Sequence, residues 1–132
     1  MRRFICHSLL LLAALPMAAV AGRPAVSPAA VAEITARADA PLLLDVRSPE
    51  EFAQGHLPGA VLIPHDQLAS RLDELDRDRW VLVYCRSGKR ATTAQGILED
   101  AGFEVRQIQG SWLRWQEEDR PVVIPGDEKD AK

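Results

Sequence analysis

The chain reads as an α/β protein whose parallel sheet is covered by helices on both faces. Three observations predict this. Three short runs, "PLLLDV" (41–46), "AVLIP" (60–64) and "WVLVYC" (80–85), are almost wholly apolar, and "FEVRQI" (103–108) reads as a fourth strand. Unbroken apolar runs of this length mark strands buried on both faces, not the alternating pattern of a half-exposed sheet. Between the runs lie segments of helical periodicity, and strand–helix alternation is the signature of parallel α/β architecture. A chain of 132 residues, 47% apolar and 27% charged, suits one domain, and it shows no internal repeat or low-complexity tract.

Residues 1–21 stand apart from the rest. "MRRF" supplies a basic start, "ICHSLLLLAALPMAAV" an apolar core, and Ala19 and Ala21 the small residues of a cleavage site before Gly22. Pro16 and His7 interrupt a stretch already short for a membrane span. The segment reads as a cleaved secretory signal, with an uncleaved anchor as the alternative. The mature protein, 22–132, is then periplasmic or secreted, a single domain with its core at about 27–118 and a polar C-terminal tail.

The remaining elements follow in order. Ser27 and Pro28 open a helix running to about Ala38, with Val31, Ile34 and Ala38 on one face. After the first strand, "SPEEFAQG" reads as a short capped helix: Ser48 at the cap, Pro49 at the first position, Glu50 and Glu51 in the first turn. The second strand is followed by a helix from His65 to Leu75, with Leu68, Leu72 and Leu75 facing inward. The third strand leads through a loop into a helix carrying Ala94, Ile97, Leu98 and Ala101, which Gly102 ends. After the fourth strand, Ser111 caps a short last helix. Trp112 and Trp115 in that helix are assigned to the core.

Charge and cysteine usage narrow the partners. The full chain carries a net charge of −3; loss of residues 1–21 removes Arg2 and Arg3 and no acid, leaving 14 basic against 19 acidic residues, a net charge of −5. Nucleic acid is excluded on this ground, because proteins that bind it carry basic surfaces. No membrane contact is expected once the signal is removed. Cys6 leaves with the signal, so Cys85 is the one cysteine of the exported domain and cannot form an internal disulfide. An unpaired thiol in an oxidising compartment suggests reactivity.

In parallel α/β sheets the chemistry sits beyond the carboxyl ends of the strands. Two strand ends stand out: "LDVRS" with Asp45 and Arg47, and "VYCRSGKR" with Cys85. A cysteine ending a strand, just before a helix starting near Arg90, faces the free N–H groups and positive dipole end of that helix. Gly88 lets the loop curl so that successive N–H groups converge on an anion. Arg86, Lys89 and Arg90 add positive charge, and all of these features favour a thiolate. Cys85 is therefore the candidate nucleophile, with Arg86, Ser87, Gly88, Lys89 and Arg90 as its substrate-binding loop. Asp45 and Arg47 are candidates for support of that site, with a structural role favoured and an Arg47 pairing to Glu50 or Glu51 expected. His56 is read as a structural hydrogen-bonding residue, since a thiolate in a cationic nest needs no general base. With a single cysteine and two mature histidines, His56 and His65, out of ligand spacing, no metal is expected, and no cofactor is implied.

These residues resemble a known family. "C-R-S-G-K-R" after an apolar strand is similar to the active-site loop of rhodaneses, sulfurtransferases that carry sulfane sulfur as a cysteine persulfide. "LLLDVRSPEEFAQGHLPGA" (42–60) resembles the family's D-V-R, E-F and G-H-I-P-G-A block, and "GFEVRQIQGSWLRW" its closing strand and G-G-W turn. The likeness runs from about Ala30 to Gln116. Ser111 stands where the family has a second glycine, a departure in the geometry of that turn. The resemblance implies a parallel five-stranded sheet, one strand more than the residues mark, with the extra strand short and near the N-terminus. It also implies ping-pong sulfur transfer through a Cys85 persulfide. The donor would be a small anion such as thiosulfate, and the acceptor cyanide or a thiol, including a periplasmic thiol protein.

Two other readings share the loop. A cysteine phosphatase or arsenate reductase uses Cys-x5-Arg, whereas here Cys85 to Arg90 is Cys-x4-Arg. A sulfur-carrier or redox partner protein without efficient turnover of small donors would look the same at this level.

Overall fold

The computed structural model describes residues 23–127. The signal segment and its cleavage position lie outside the described residues. Element order is α1 (Pro28–Thr35), β1 (Leu42–Asp45), α2 (Pro49–Ala53), β2 (Val61–Leu62), two 3-10 turns, β3 (Val81–Tyr84), α3 (Lys89–Asp100), β4 (Val105–Gln107) and α4 (Ser111–Glu117). The strands form one parallel sheet in the order β2-β1-β3-β4.

The sheet has four strands among the described residues, where the family resemblance implied five. At the outer edge of β4 a fifth position exists as a single parallel bridge, Val26 to Ile108. The Val26 N–H donates to the Gln107 carbonyl at 2.8 Å and its own carbonyl accepts from Gln109 N–H at 2.8 Å. Pro24 and Pro28 bracket it, and proline has no N–H to extend a ladder.

Alternation along the strands feeds two cores. Leu44, Val81, Val83, Cys85 and Val105 face α3, where they pack with Ala91, Ala94, Leu98 and Phe103. Leu43, Leu82 and Tyr84 point the other way, against Val31, Ile108, Trp112 and Trp115. Burial on both faces explains the apolar runs of β1 and β3, whereas β2 lies at the sheet edge with Val61 exposed; Trp112 and Trp115 are core residues as expected.

Local signals set most helix ends. Ser48 accepts the Glu51 N–H while Glu51 accepts the Ser48 N–H, a complete capping box. Helix α3 ends as a Schellman motif: Phe103 N–H bonds the Leu98 carbonyl and Gly102 N–H the Glu99 carbonyl, with Gly102 at φ +92°.

Two expectations are corrected. The helix expected over His65–Leu75 is a turn followed by two 3-10 segments, Leu68–Ser70 and Leu72–Glu74, broken at Arg71 (φ −124°, ψ 18°). Its backbone bonds span three residues, Ser70 to Gln67 and Leu75 to Leu72, and Ser70 Oγ competes for the Gln67 carbonyl. The second concerns α4, which is capped at Gly110; Ser111 is its first residue, at φ +50°. The tail after α4 is tied back to the domain. Trp115 Nε1 donates to the Pro121 carbonyl at 2.9 Å, and Val123 and His56 exchange two backbone hydrogen bonds of 2.9 Å.

Candidate active site

Cys85 follows β3 directly and begins the turn into α3. Its side chain is 1% exposed, on the α3 face of the sheet. Gly88, at φ +113°, reverses the chain so that its N–H points back at the sulfur, 3.0 Å from Sγ. Residues with a Cβ rarely adopt this backbone angle. The Gly88 carbonyl is held from the other side by the Thr92 N–H at 2.9 Å and the Thr92 hydroxyl at 3.0 Å.

Helix α4 fixes the near end of the loop. The Trp112 N–H donates to the Cys85 carbonyl at 3.0 Å and the Leu113 N–H to the Arg86 carbonyl at 3.1 Å. Ser111 Oγ, buried, accepts the Cys85 N–H at 3.3 Å. Thus the position that departs from the family's glycine touches the backbone of the candidate nucleophile. The family comparison singled out Ser111 for turn geometry; its contact with Cys85 depends on the approach of β3 and α4, 26 residues apart.

The three cations of the loop are placed differently. Arg86 and Lys89 are exposed and make no ion pair among the described residues. Arg90 is engaged by Glu51 of α2, Nη1 to Oε1 at 2.6 Å and Nη2 to Oε2 at 2.9 Å. The Arg90 hydrogen bonds hold the Glu51 carboxyl well down, at about 2 against its ordinary 4.5, although partial burial acts the other way. Arg90 is raised by the same contacts. Glu51 was legible as an acid in the first turn of α2; its capping-box contact with Ser48 and its hold on Arg90 were not.

Asp45 and Arg47 form a buried network at the end of β1. Arg47 Nε lies 3.0 Å from both Asp45 oxygens, Nη2 donates to Asp45 Oδ2 and to the Gly55 carbonyl at 2.7 Å each, and the Arg47 N–H donates to Asp45 Oδ1 at 2.9 Å. The Tyr84 hydroxyl donates to Asp45 Oδ2 at 2.7 Å and accepts the Leu57 N–H at 3.1 Å. The Arg47 guanidinium also lies 4.3 Å from the Trp112 ring centre. Burial, with Asp45 adding to it, pushes the Tyr84 hydroxyl well up. Burial works against the Arg47 charge, but Asp45 outweighs it and the net direction is up. The expected pairing of Arg47 with Glu50 or Glu51 is replaced by Asp45, two residues away, while Glu51 pairs with Arg90. This supports the structural reading of both residues.

His56 is likewise structural: its ring stacks on Phe52 at 3.7 Å, and Nδ1 lies 3.2 Å from the Phe52 carbonyl. Two cavities flank the loop. One, about 350 Å³, includes Ser87, Gly88, Gln95, Gln107 and Gln109 in its lining. The other, about 190 Å³, is lined by Arg47, Glu51, Gln54, Arg86, Trp112 and Gln116. Among the described residues no group of three or more metal-ligating side chains comes together.

Comparisons with known proteins give the family. Residues 27–118 match the family model described as the rhodanese-like domain. A sulfurtransferase of Allochromatium vinosum is 38% identical over 85 residues, covering 64% of this chain and 79% of the relative. The putative sulfurtransferase YtwF of Bacillus subtilis is 34% identical over 79 residues, covering 60% and 77%. The crystal structure of a rhodanese-related protein from Thermoplasma volcanium matches with a TM-score of 0.70 and 29% identity, covering 77% of this chain and 99% of that one. With Cys85 directly after β3, a loop curled back on it at Gly88, and relatives described as sulfurtransferases, this chain belongs to the rhodanese-like domain family.

Proposed function

We propose that the protein transfers sulfane sulfur from a small anionic donor, thiosulfate or one like it, through a persulfide on Cys85. The observation that carries this reading is the Gly88 N–H aimed at Cys85 Sγ at 3.0 Å, in a loop whose side chains Arg86 and Lys89 face solvent.

The reaction runs in two displacements. The Cys85 thiolate attacks the outer sulfur of thiosulfate; the new S–S bond forms as the donor's S–S bond breaks, and its electron pair leaves on sulfite. The persulfide anion then sits among the N–H groups of Ser87, Gly88, Lys89 and Arg90, with Arg86 and Lys89 drawing the donor in. An acceptor, cyanide or a thiolate, attacks the terminal sulfur and Cys85 leaves as thiolate. Neither step consumes an oxidant or a net proton, so no cofactor is required. Export of the mature protein from Gly22, and a thiol protein of that compartment as acceptor, belong to the same proposal; the mass of the mature chain recovered from its host tests the first.

The central test is mass spectrometry after incubation with thiosulfate. A gain of about 32 Da on the wild type, absent in Cys85→Ala and discharged by cyanide, is the expected result. No gain on the wild type overturns the reading. Loading without steady-state turnover to cyanide would instead make the protein a relay to a partner thiol.

A further inference from the structure

The loop after Cys85 carries three cations, and Arg47 shares a cavity with one of them, Arg86; two of the four are matched from within. Arg47 is matched by Asp45 and Arg90 by Glu51, which leaves Arg86 and Lys89. The Glu51 carboxylate does not drift with its partner: Oε1 also accepts the Ser48 N–H at 3.2 Å, while Ser48 Oγ accepts the Glu51 N–H at 3.2 Å. The capping box therefore presents a fixed anion to the first turn of α3. The same carboxylate borders the 190 Å³ cavity shared with Arg86 and Trp112.

Building on the sulfur-transfer reading, we propose that Glu51 determines how tightly the site holds anions, by withholding the Arg90 guanidinium from whatever enters the loop. The chemistry asks for such a limit. Thiosulfate and sulfite are both oxyanions, so whatever attracts the donor also retains the product. A loop with a free Arg90 offers a bidentate fork for tetrahedral oxyanions and would retain sulfite, sulfate or phosphate. Engaging that fork leaves long-range attraction to Arg86 and Lys89, which steers a donor in without clamping the product.

Protection of Cys85 from iodoacetamide by sulfate tests this by reading anion binding without turnover. Glu51→Gln, which preserves the capping-box chemistry, is expected to tighten sulfate protection about three- to tenfold. Single-turnover loading should saturate at correspondingly lower thiosulfate. Glu51→Gln/Arg90→Gln should return both to within about twofold of wild type, because the gain needs the released guanidinium. Glu74→Gln, whose partner is Arg71, makes the same change of net charge elsewhere and should leave both unaltered. An unchanged or weaker sulfate effect in Glu51→Gln, or a gain that survives loss of Arg90, overturns the proposal. If Glu51→Gln does not fold, Glu51→Asp keeps both charges but shortens the carboxylate, so that it no longer holds both Nη groups of Arg90; about a twofold gain is expected, and no gain overturns it. A wild-type protein that takes no sulfur from thiosulfate would sink the sulfur-transfer reading while leaving this anion comparison intact.

Discussion

Gly88 and Cys85 are three residues apart, and the N–H of one lies 3.0 Å from the sulfur of the other. The contact exists because Gly88 sits at φ +113°. A Cβ built there meets no atom within 4 Å. The cost of a side chain at this position is thus backbone strain alone. Gly88→Ala should destabilise the fold by about 1–2 kcal/mol. Because the turn can relax by swinging its N–H off the sulfur, alkylation of Cys85 and persulfide loading should slow about tenfold or more. Urea unfolding alongside alkylation kinetics checks both; normal kinetics would mean the N–H contributes nothing to thiol reactivity.

The Asp45–Arg47 pair should behave as a buried ion pair. Asp45→Asn leaves the Arg47 charge uncompensated, with an expected loss of about 3–5 kcal/mol. Tyr84→Phe removes the hydroxyl that joins Asp45 to the Leu57 N–H and leaves that N–H without its partner, for about 1–3 kcal/mol. Denaturant midpoints should rank wild type above Tyr84→Phe above Asp45→Asn.

Ser111 pays for its hydroxyl in backbone strain, since it holds φ +50°. Two substitutions separate these effects. Ser111→Ala keeps the strain and strips the Cys85 N–H of its acceptor, for about 1–3 kcal/mol. Ser111→Gly loses the same hydrogen bond but relieves the strain. It should therefore be more stable than Ser111→Ala by about 1 kcal/mol. Equal melting temperatures would contradict the strained geometry.

The Glu51–Arg90 pair predicts a particular acid response. The Glu51 carboxyl is lowered in the folded state, from its ordinary 4.5 to about 2. Its contribution to stability is therefore fully present above about pH 4.5 and is lost as pH falls toward 2. Stability curves of wild type and Glu51→Gln should be parallel above pH 5 and converge below 4.5. A gap that stays constant down to pH 2 would show that the pair does not depend on the carboxylate.

Much of this was legible along the chain because the signals are local. Apolar runs marked β1, β2 and β3, and Ser48 and Pro49 gave the start of α2 before any fold was known. Cys85 at a strand end, with Gly88 three residues on, gave the loop. Where the pattern misled, it did so because it records only which way a side chain must face. Leu68, Leu72 and Leu75 turn inward equally well from two 3-10 segments as from one helix. Ser111 looked like a helix cap because its type fits one, yet its hydroxyl serves the Cys85 N–H instead.

Sequence alone therefore determined the family, the sheet's parallel character and the identity of the candidate nucleophile, since each rests on residues adjacent in the chain or repeating at a fixed period. Tertiary structure decided which cations stay free. Arg86, Lys89 and Arg90 are equivalent on paper; only the approach of α2 to α3, 39 residues apart, pairs Glu51 with Arg90 and leaves the other two to solvent. Charge pairing depends on distance in space, and linear spacing does not encode it.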